Sequence, residues 1–325
     1  TLSDNFGNAG LNYICGIVGL NVQADSAITG ANQEGEGGKP ENKRTYEDVV
    51  NKGNWNYTSG LIAACNTKEG VRVSGKSFVG GIAGYNLSGA ELRANKNQAE
   101  VTAAGDYAGG VAGANLGNIY VSGSNGGKEY TIAGNNGQGI GGIVGWNRAY
   151  DRDESDEIDV VCGSIYVTVS DEEIKGIGKD EVFEVVAVDK NVTVRGKEKV
   201  GGIIGINEGI IDASYQEDSS DATAKSVETE LVCKAELVRA TQDYAGGIIG
   251  EARAGVAGSS FLTISRAVNR SEKVTADNGR AGGIVAVNNK GFILEECRNV
   301  GTVNSDHGYA GGIAAENYGY SNNSC

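Results

Sequence analysis

The chain has 325 residues, with 42 acidic and 28 basic side chains and a formal net charge of −14. That balance disfavours nucleic acid and anionic membrane surfaces, which attract basic patches, and no apolar run approaches the length of a membrane span. Gly is abundant at 52, Pro and His occur once each, and Met is absent, so a His-Glu-x-x-His metallopeptidase helix is excluded.

Thr1 opens the chain with no visible signal peptide. The absent Met and the abrupt end at Cys325 suggest a piece of a longer protein. One seven-residue motif then recurs nine times, so the chain is read as a repeat array. The copies are CGIVGLN (15–21), GLIAACN (60–66), GGIAGYN (80–86), GGVAGAN (109–115), GGIVGWN (141–147), GGIIGIN (201–207), GGIIGEA (246–252), GGIVAVN (282–288) and GGIAAEN (311–317). The third position is always β-branched: Ile17, Ile62, Ile82, Val111, Ile143, Ile203, Ile248, Ile284, Ile313. The fifth is Gly or Ala, and the seventh is Asn except at Ala252. Alternate side chains of a strand share a face. The third, fifth and seventh positions are therefore expected inside, and the variable fourth and sixth outside. The opposite parity stays open, because the fourth is also apolar and the double Gly can bend the strand. The Gly pair predicts a tight corner where a Cβ would clash. The closing Asn predicts a turn and, stacked through successive coils, an amide ladder.

Between motifs the chain carries two further strand patterns. One is a Gly-x-x-φ segment, as in GAELRANKNQAEV from Gly89 and GFILEECRNVGTV from Gly291. The other is Val-x-Val or Val-Thr, as at Val71–Val73, Val101-Thr102, Val192–Val194, Val274-Thr275 and Val303. Asn86 to Asn115 and Asn288 to Asn317 are each 29 residues, which sets a unit of 29–30 with about three strands. Longer intervals locate insertions near 31–54, 148–195 and 216–229. The 60 residues from Asn147 to Asn207 contain strand candidates Ile165–Val169 and Val182–Val188. They form either two coils, one lacking the motif, or one coil with a large hairpin. No stretch shows helical periodicity. The fold class is all-β: one right-handed parallel β-helix over 1–325, its hand set by the crossover rule. About eleven coils rising roughly 4.8 Å each predict a rod about 50 Å long.

The pattern VGGIxGxN followed by G-x-I/L-x-x-C/A-x-N-x-G/A-x-V resembles the GLUG-type repeats of bacterial surface proteins. Those repeats occur in adhesin-like proteins and in non-catalytic regions of some secreted immunoglobulin A-cleaving metallopeptidases. The resemblance spans most of the chain and is weaker over 150–200 and 210–240. Here the family's usual Leu at the third motif position is Ile or Val. The resemblance implies a parallel β-helix outside a bacterial cell, secreted or at its surface.

Few residues point to chemistry. A dinucleotide loop needs its Gly-rich turn to open a helix, and here Ile-Val-Gly follows at once, so no cofactor is assigned. The run Asp151–Asp159 alternates oxygen ligands as a calcium loop does but lacks the turn Gly at its sixth position; the default is a solvated acidic loop, and no metal is assigned. An aromatic two residues before the motif recurs at Tyr13, Phe78, Tyr107, Tyr244 and Tyr309, as a stacked ladder or a ligand-binding stripe. Asn-x-Ser/Thr sites at Asn56 and Asn191 are what an Asn-rich chain yields by chance. Cys297 and Cys325 each lie six residues after a Gly that follows the motif. They are expected side by side in adjacent coils, as a disulfide or as stacked thiols. The other cysteines (Cys15, Cys65, Cys162, Cys233) occupy unrelated positions of the unit. No catalytic residue is assigned. The expected function is a non-catalytic extracellular stalk or adhesive module, with a host- or neighbouring-cell ligand (glycan or protein), no nucleic acid, no membrane insertion, and end-to-end or lateral self-association open. The alternative is a carbohydrate-active β-helix enzyme, which requires convergent carboxylates.

Overall fold

The computed structural model describes residues 2–3, 14–21, 61–63, 65–121, 130–151, 160–169, 182–215, 228–255 and 262–325. Every regular element among them is a β-strand. The strands form four eight-stranded sheets, one four-stranded sheet and one two-stranded pair. Neighbours in the larger sheets run parallel; the pair is antiparallel.

The chain visits the sheets in a fixed order. One circuit runs through Glu100–Ala103, Ala108–Gly109, Ala112–Asn115 and Asn118–Val121. The next runs through Tyr130–Gly134, Gln138–Gly141, Val144–Asn147 and Ser164–Val167, each strand pairing with its counterpart. In that order they are the Val, Gly, Asn and return sheets. Later circuits add a fifth strand: Phe183–Val188, Thr229–Cys233, Ala267–Asn269 and Arg298–Asn299. Each circuit thus has four or five strand segments, because the Gly-Gly motif is split between two sheets.

Among the described residues each large sheet has eight strands, so eight circuits are present where eleven were expected. Two corrections account for much of the difference. GLIAACN (60–66) is not a copy of the motif: Ile62 pairs with Leu92 in the return sheet, while Asn21 pairs directly with Asn86. The segment lacks the Gly pair, and its Gly-x-Ile pattern is that of a return strand. Asn147 likewise pairs directly with Asn207. The 60-residue interval is therefore one circuit, carrying the hairpin Ala149–Asp151 with Val160–Cys162.

Inside, each sheet contributes a uniform row. The Val sheet gives Val73, Val101, Ile132, Val194, Val238 and Val274; the return sheet gives Leu92, Ile119, Ile165, Ile211, Ile264 and Leu294, all buried in one cluster. Ile82, Val111, Ile143, Ile203, Ile248 and Ile284 join it, no more than 2% exposed. In the end circuits Ile17 is 44% exposed and Ile313 is half-buried. The expected parity needs correction at the fourth position. Ala83, Ala112, Val144, Ile204, Ile249 and Val285 are fully buried in the same core. The chain bends at the second and third motif residues, between the Gly and Asn sheets, and strand alternation does not run through that bend. Two contacts explain the Gly pair. A Cβ on Gly201 would lie 1.8 Å from the Ile204 carbonyl oxygen, and one on Gly142 would lie 2.1 Å from the Gly202 carbonyl oxygen of the next circuit.

The seventh position forms the expected ladder. The Nδ2 of Asn21, Asn86, Asn115 and Asn147 each donates 2.8 Å to the Oδ1 of the next Asn, ending at Asn207. These amides are buried, which is tolerable because each is bonded. Ala252 breaks the chain of bonds. It resumes from Asn288 to Asn317, and Asn288 Oδ1 is buried without a partner.

Candidate functional site

Two outer faces gather side chains with chemistry. The first covers the Asn sheet. Phe78 and Tyr107 have left-handed backbones, with φ of 53° and 64°. That conformation is costly for a bulky residue, and it places both rings against the sixth motif position. Phe78 stacks on Tyr85 with centroids 5.9 Å apart, and Tyr107 on Trp146 at 4.8 Å. Phe78 and Tyr107 are 4.9 Å apart. Arg148 lies 4.3 Å over Trp146 and donates to the Tyr85 hydroxyl at 2.5 Å. The aromatic row is therefore not a continuous ladder. Gly139 and Lys199 hold its next places, also at positive φ. Tyr244 lies under the Arg280 guanidinium at 5.2 Å, and Tyr309 is 63% exposed. Tyr13 lies outside the described residues. Sequence reading missed Tyr85, Trp146, Arg148 and Arg253; the available signal was their fixed place at or just after the end of the motif.

Towards the C-terminus this face becomes ionic. Glu251 pairs with Lys199 at 3.1 Å and Arg253 at 3.6 Å, and Arg253 reaches Glu208 at 3.0 Å. The second Glu208 oxygen accepts the Ala149 backbone N–H at 3.1 Å. Arg280 bridges Asp243 at 2.5 Å and Glu316 at 2.6 Å. Burial pushes the Tyr107 hydroxyl above its ordinary pKa; Asp106 and Glu208 add to the rise and Arg253 and Arg148 oppose it. Most of its charges are paired and its rings stack on one another, while Trp146 Nε1 and Arg148 Nε are buried with no hydrogen-bond partner among the described residues; the face is built chiefly of structural braces.

The second face is the outside of the return sheet. Leu92, Ile119, Ile165, Ile211, Ile264 and Leu294 point inward, so their neighbours point out. Register then builds one outer row across successive circuits: Arg93, Tyr120, Tyr166, Asp212, Ser265 and Glu295. Arg93 lies 3.9 Å over the Tyr120 ring, and Tyr120 stacks on Tyr166 at 5.4 Å. Beyond Tyr166 a cleft opens, lined by Ile210, Asp212, Thr263, Ser265 and Glu295 among others. Asp212 Oδ1 accepts the Ser214 backbone N–H at 2.9 Å and the Ser265 hydroxyl at 3.3 Å. Arg266 closes the rim, bonded to Glu296 at 2.8 Å.

Cys297 and Cys325 lie in neighbouring circuits but one residue out of register. Cys325 donates its N–H to the Cys297 carbonyl at 2.9 Å and accepts from Asn299 N–H at 2.7 Å, which sets it level with Arg298. A shift of one residue turns a side chain to the other face. Cys297 is buried, with its thiol donating to the Ile264 carbonyl at 3.3 Å; Cys325 is exposed; and both are free. The turn after Asn317 is shorter than the one after Asn288, so Gly319 is not the equivalent of Gly291: Tyr320 pairs with Ile293. Burial raises the Cys297 thiol to about 11. Cys65 is not at an unrelated position. It follows Ile62 by three residues as Cys297 follows Leu294, and Ile62 and Leu294 share the inward row of the return sheet. Most of the acidic run Asp151–Asp159 lies outside the described residues, as do 31–54 and 216–227. Among the described residues no group of three or more His, Cys, Asp or Glu side chains is placed to hold a metal ion, and no helix is long and apolar enough to cross a membrane.

No family model matches the chain, and no curated protein or solved structure matches it either.

Proposed function

We propose that the chain is a non-catalytic structural and adhesive stalk module of a bacterial surface or secreted protein, built as a right-handed parallel β-helix of GLUG-type repeats. The observation that carries this reading is the reuse of the same inward rows and the same buried Asn position circuit after circuit, which devotes most of the sequence to one-dimensional stacking. The hand follows from the crossover rule for parallel strands. Eight circuits at about 4.8 Å each would make a rod roughly 38 Å long. The module would hold its outer faces and loops away from the cell, where loops vary on a constant frame. Two measurements test the reading together. Far-ultraviolet circular dichroism should give the spectrum of a β protein with no helical component. Incubation with acidic and neutral polysaccharides, with and without calcium, should leave their chain lengths unchanged; reproducible depolymerisation would install the alternative, a carbohydrate-active β-helix enzyme.

A further inference from the structure

We propose that the outer face of the return sheet, from Tyr166 to Glu295, binds a glycan chain of neutral or amino sugars through side chains alone. The inference rests on the stalk reading and names what such a module would hold. Three observations converge. The ring stack begins where Arg93 covers Tyr120 and runs to Tyr166, a half-buried ring whose neighbour in register in the next circuit is Asp212. Next in line comes a concave stretch on a sheet, offering carboxylates at Asp212 and Glu295 and hydroxyls at Thr263 and Ser265 beside the aliphatic Ile210. Only one oxygen of Asp212 is bonded, and the Glu295 carboxylate makes no hydrogen bond or ion pair among the described residues. A ring face, aliphatic floor and free acceptors at regular spacing suit the alternating apolar faces and hydroxyls of a sugar chain.

The chemistry discriminates among ligands. Both edges of each central strand are already paired, so an extended peptide finds no free main chain to add to. Asp212, Glu295 and Glu296 outnumber Arg266, so a uronate or sulfated chain meets net repulsion. The row repeats at the strand spacing of about 4.8 Å along one axis, which favours a linear ligand over a compact one.

The test is calorimetric titration of the whole chain with cellohexaose, chitohexaose, oligogalacturonate and a Lys-rich peptide. Binding of cellohexaose or chitohexaose is expected, weakened about tenfold by Tyr166→Ala and by Glu295→Gln. Both side chains point outward, so urea midpoints should match the parent and separate lost binding from lost folding. The proposal is overturned if the folded protein binds neither glycan, prefers oligogalacturonate, binds only the peptide, or binds equally well in both variants. Binding with cleavage of the oligosaccharide would leave this ligand class standing and overturn the non-catalytic reading instead.

Discussion

Replacing Asn115 with Ala is the sharpest test of what holds the circuits together. Its side chain accepts from Asn86 Nδ2 at 2.8 Å and donates to the Gly117 carbonyl at 3.0 Å and to Asn147 Oδ1 at 2.8 Å. At about 1 kcal/mol net per bond, the three are worth about 3 kcal/mol, and the orphaned Asn147 Oδ1 adds about 1–3 kcal/mol more. The expected loss is about 4–6 kcal/mol, read as a fall in the urea midpoint at unchanged slope. Asn66→Ala is the internal control. Asn66 is exposed and lies outside the ladder, so its loss should cost about 0.5 kcal/mol. The natural gap supplies the reverse experiment. Ala252→Asn would give Asn207 an acceptor and Asn288 Oδ1 a donor, worth about 2 kcal/mol, against about 1 kcal/mol for ordering the new side chain. A net gain near 1 kcal/mol is expected. If Asn115→Ala costs no more than Asn66→Ala, the ladder is decoration and the circuits stack on apolar rows alone.

Other outcomes follow from the same geometry. Ile203→Asp buries an unpaired charge in a fully enclosed row and should yield insoluble protein or a loss above about 4 kcal/mol; Ile203→Val should cost about 1 kcal/mol, and equal effects would show that the row is not closed. Gly142→Ala forces a Cβ to within 2.1 Å of a backbone oxygen, so its circular dichroism should lose the cooperative transition of the parent. With a thiol-labelling reagent, Cys325 should react in the native protein while Cys233 and Cys297 react only on unfolding; labelling of Cys297 at the rate of Cys325 would contradict its burial. Burial raises the Cys297 thiol from 9.0 to about 11, so the folded state holds that proton longer than the unfolded chain. Its contribution to stability is intact below about pH 9 and is lost as pH rises towards 11. Cys297→Ala should remove that component of the alkaline slope.

What the sequence shows depends on whether neighbours repeat. Ile82, Ile143 and Ile284 meet the same surroundings in each circuit, so their recurrence marks the core before any coordinates. Asn86, Asn115 and Asn147 are legible for the same reason. The segment 60–66 is misleading because a Gly followed by a β-branched residue describes both the motif and the return strand, and only pairing separates them. The stack through Phe78, Tyr107 and Trp146 crosses two positions of the unit, so the column holding Phe78 and Tyr107 displays only part of it. The cleft is hidden more thoroughly. Asp212, Ser265 and Glu295 belong to three circuits of different length, and only the strand register makes them neighbours. The Cys297 and Cys325 register differs by one residue because the turn after Asn317 is shorter than the turn after Asn288, and the spacing from a glycine does not carry that difference.

The corner between the Gly and Asn sheets has one further consequence. There the chain always crosses in two residues, as at Gly110-Val111, Gly142-Ile143 and Gly202-Ile203. The neighbouring carbonyls leave no room for a third. The other corners vary in length: from the Val sheet to the Gly sheet the chain uses one residue after Gly196 but four after Ala103, and from the Asn sheet to the return sheet two after Asn115 but three after Asn288. Closing a flexible excursion costs only about 0.6 kcal/mol for each doubling of its length. Foreign segments can therefore be grafted after Asn115 or after Val121 with little penalty, while the same graft at Gly142 would push adjacent circuits apart. The fold is a rack with fixed rungs on one side and open mounting points on the other.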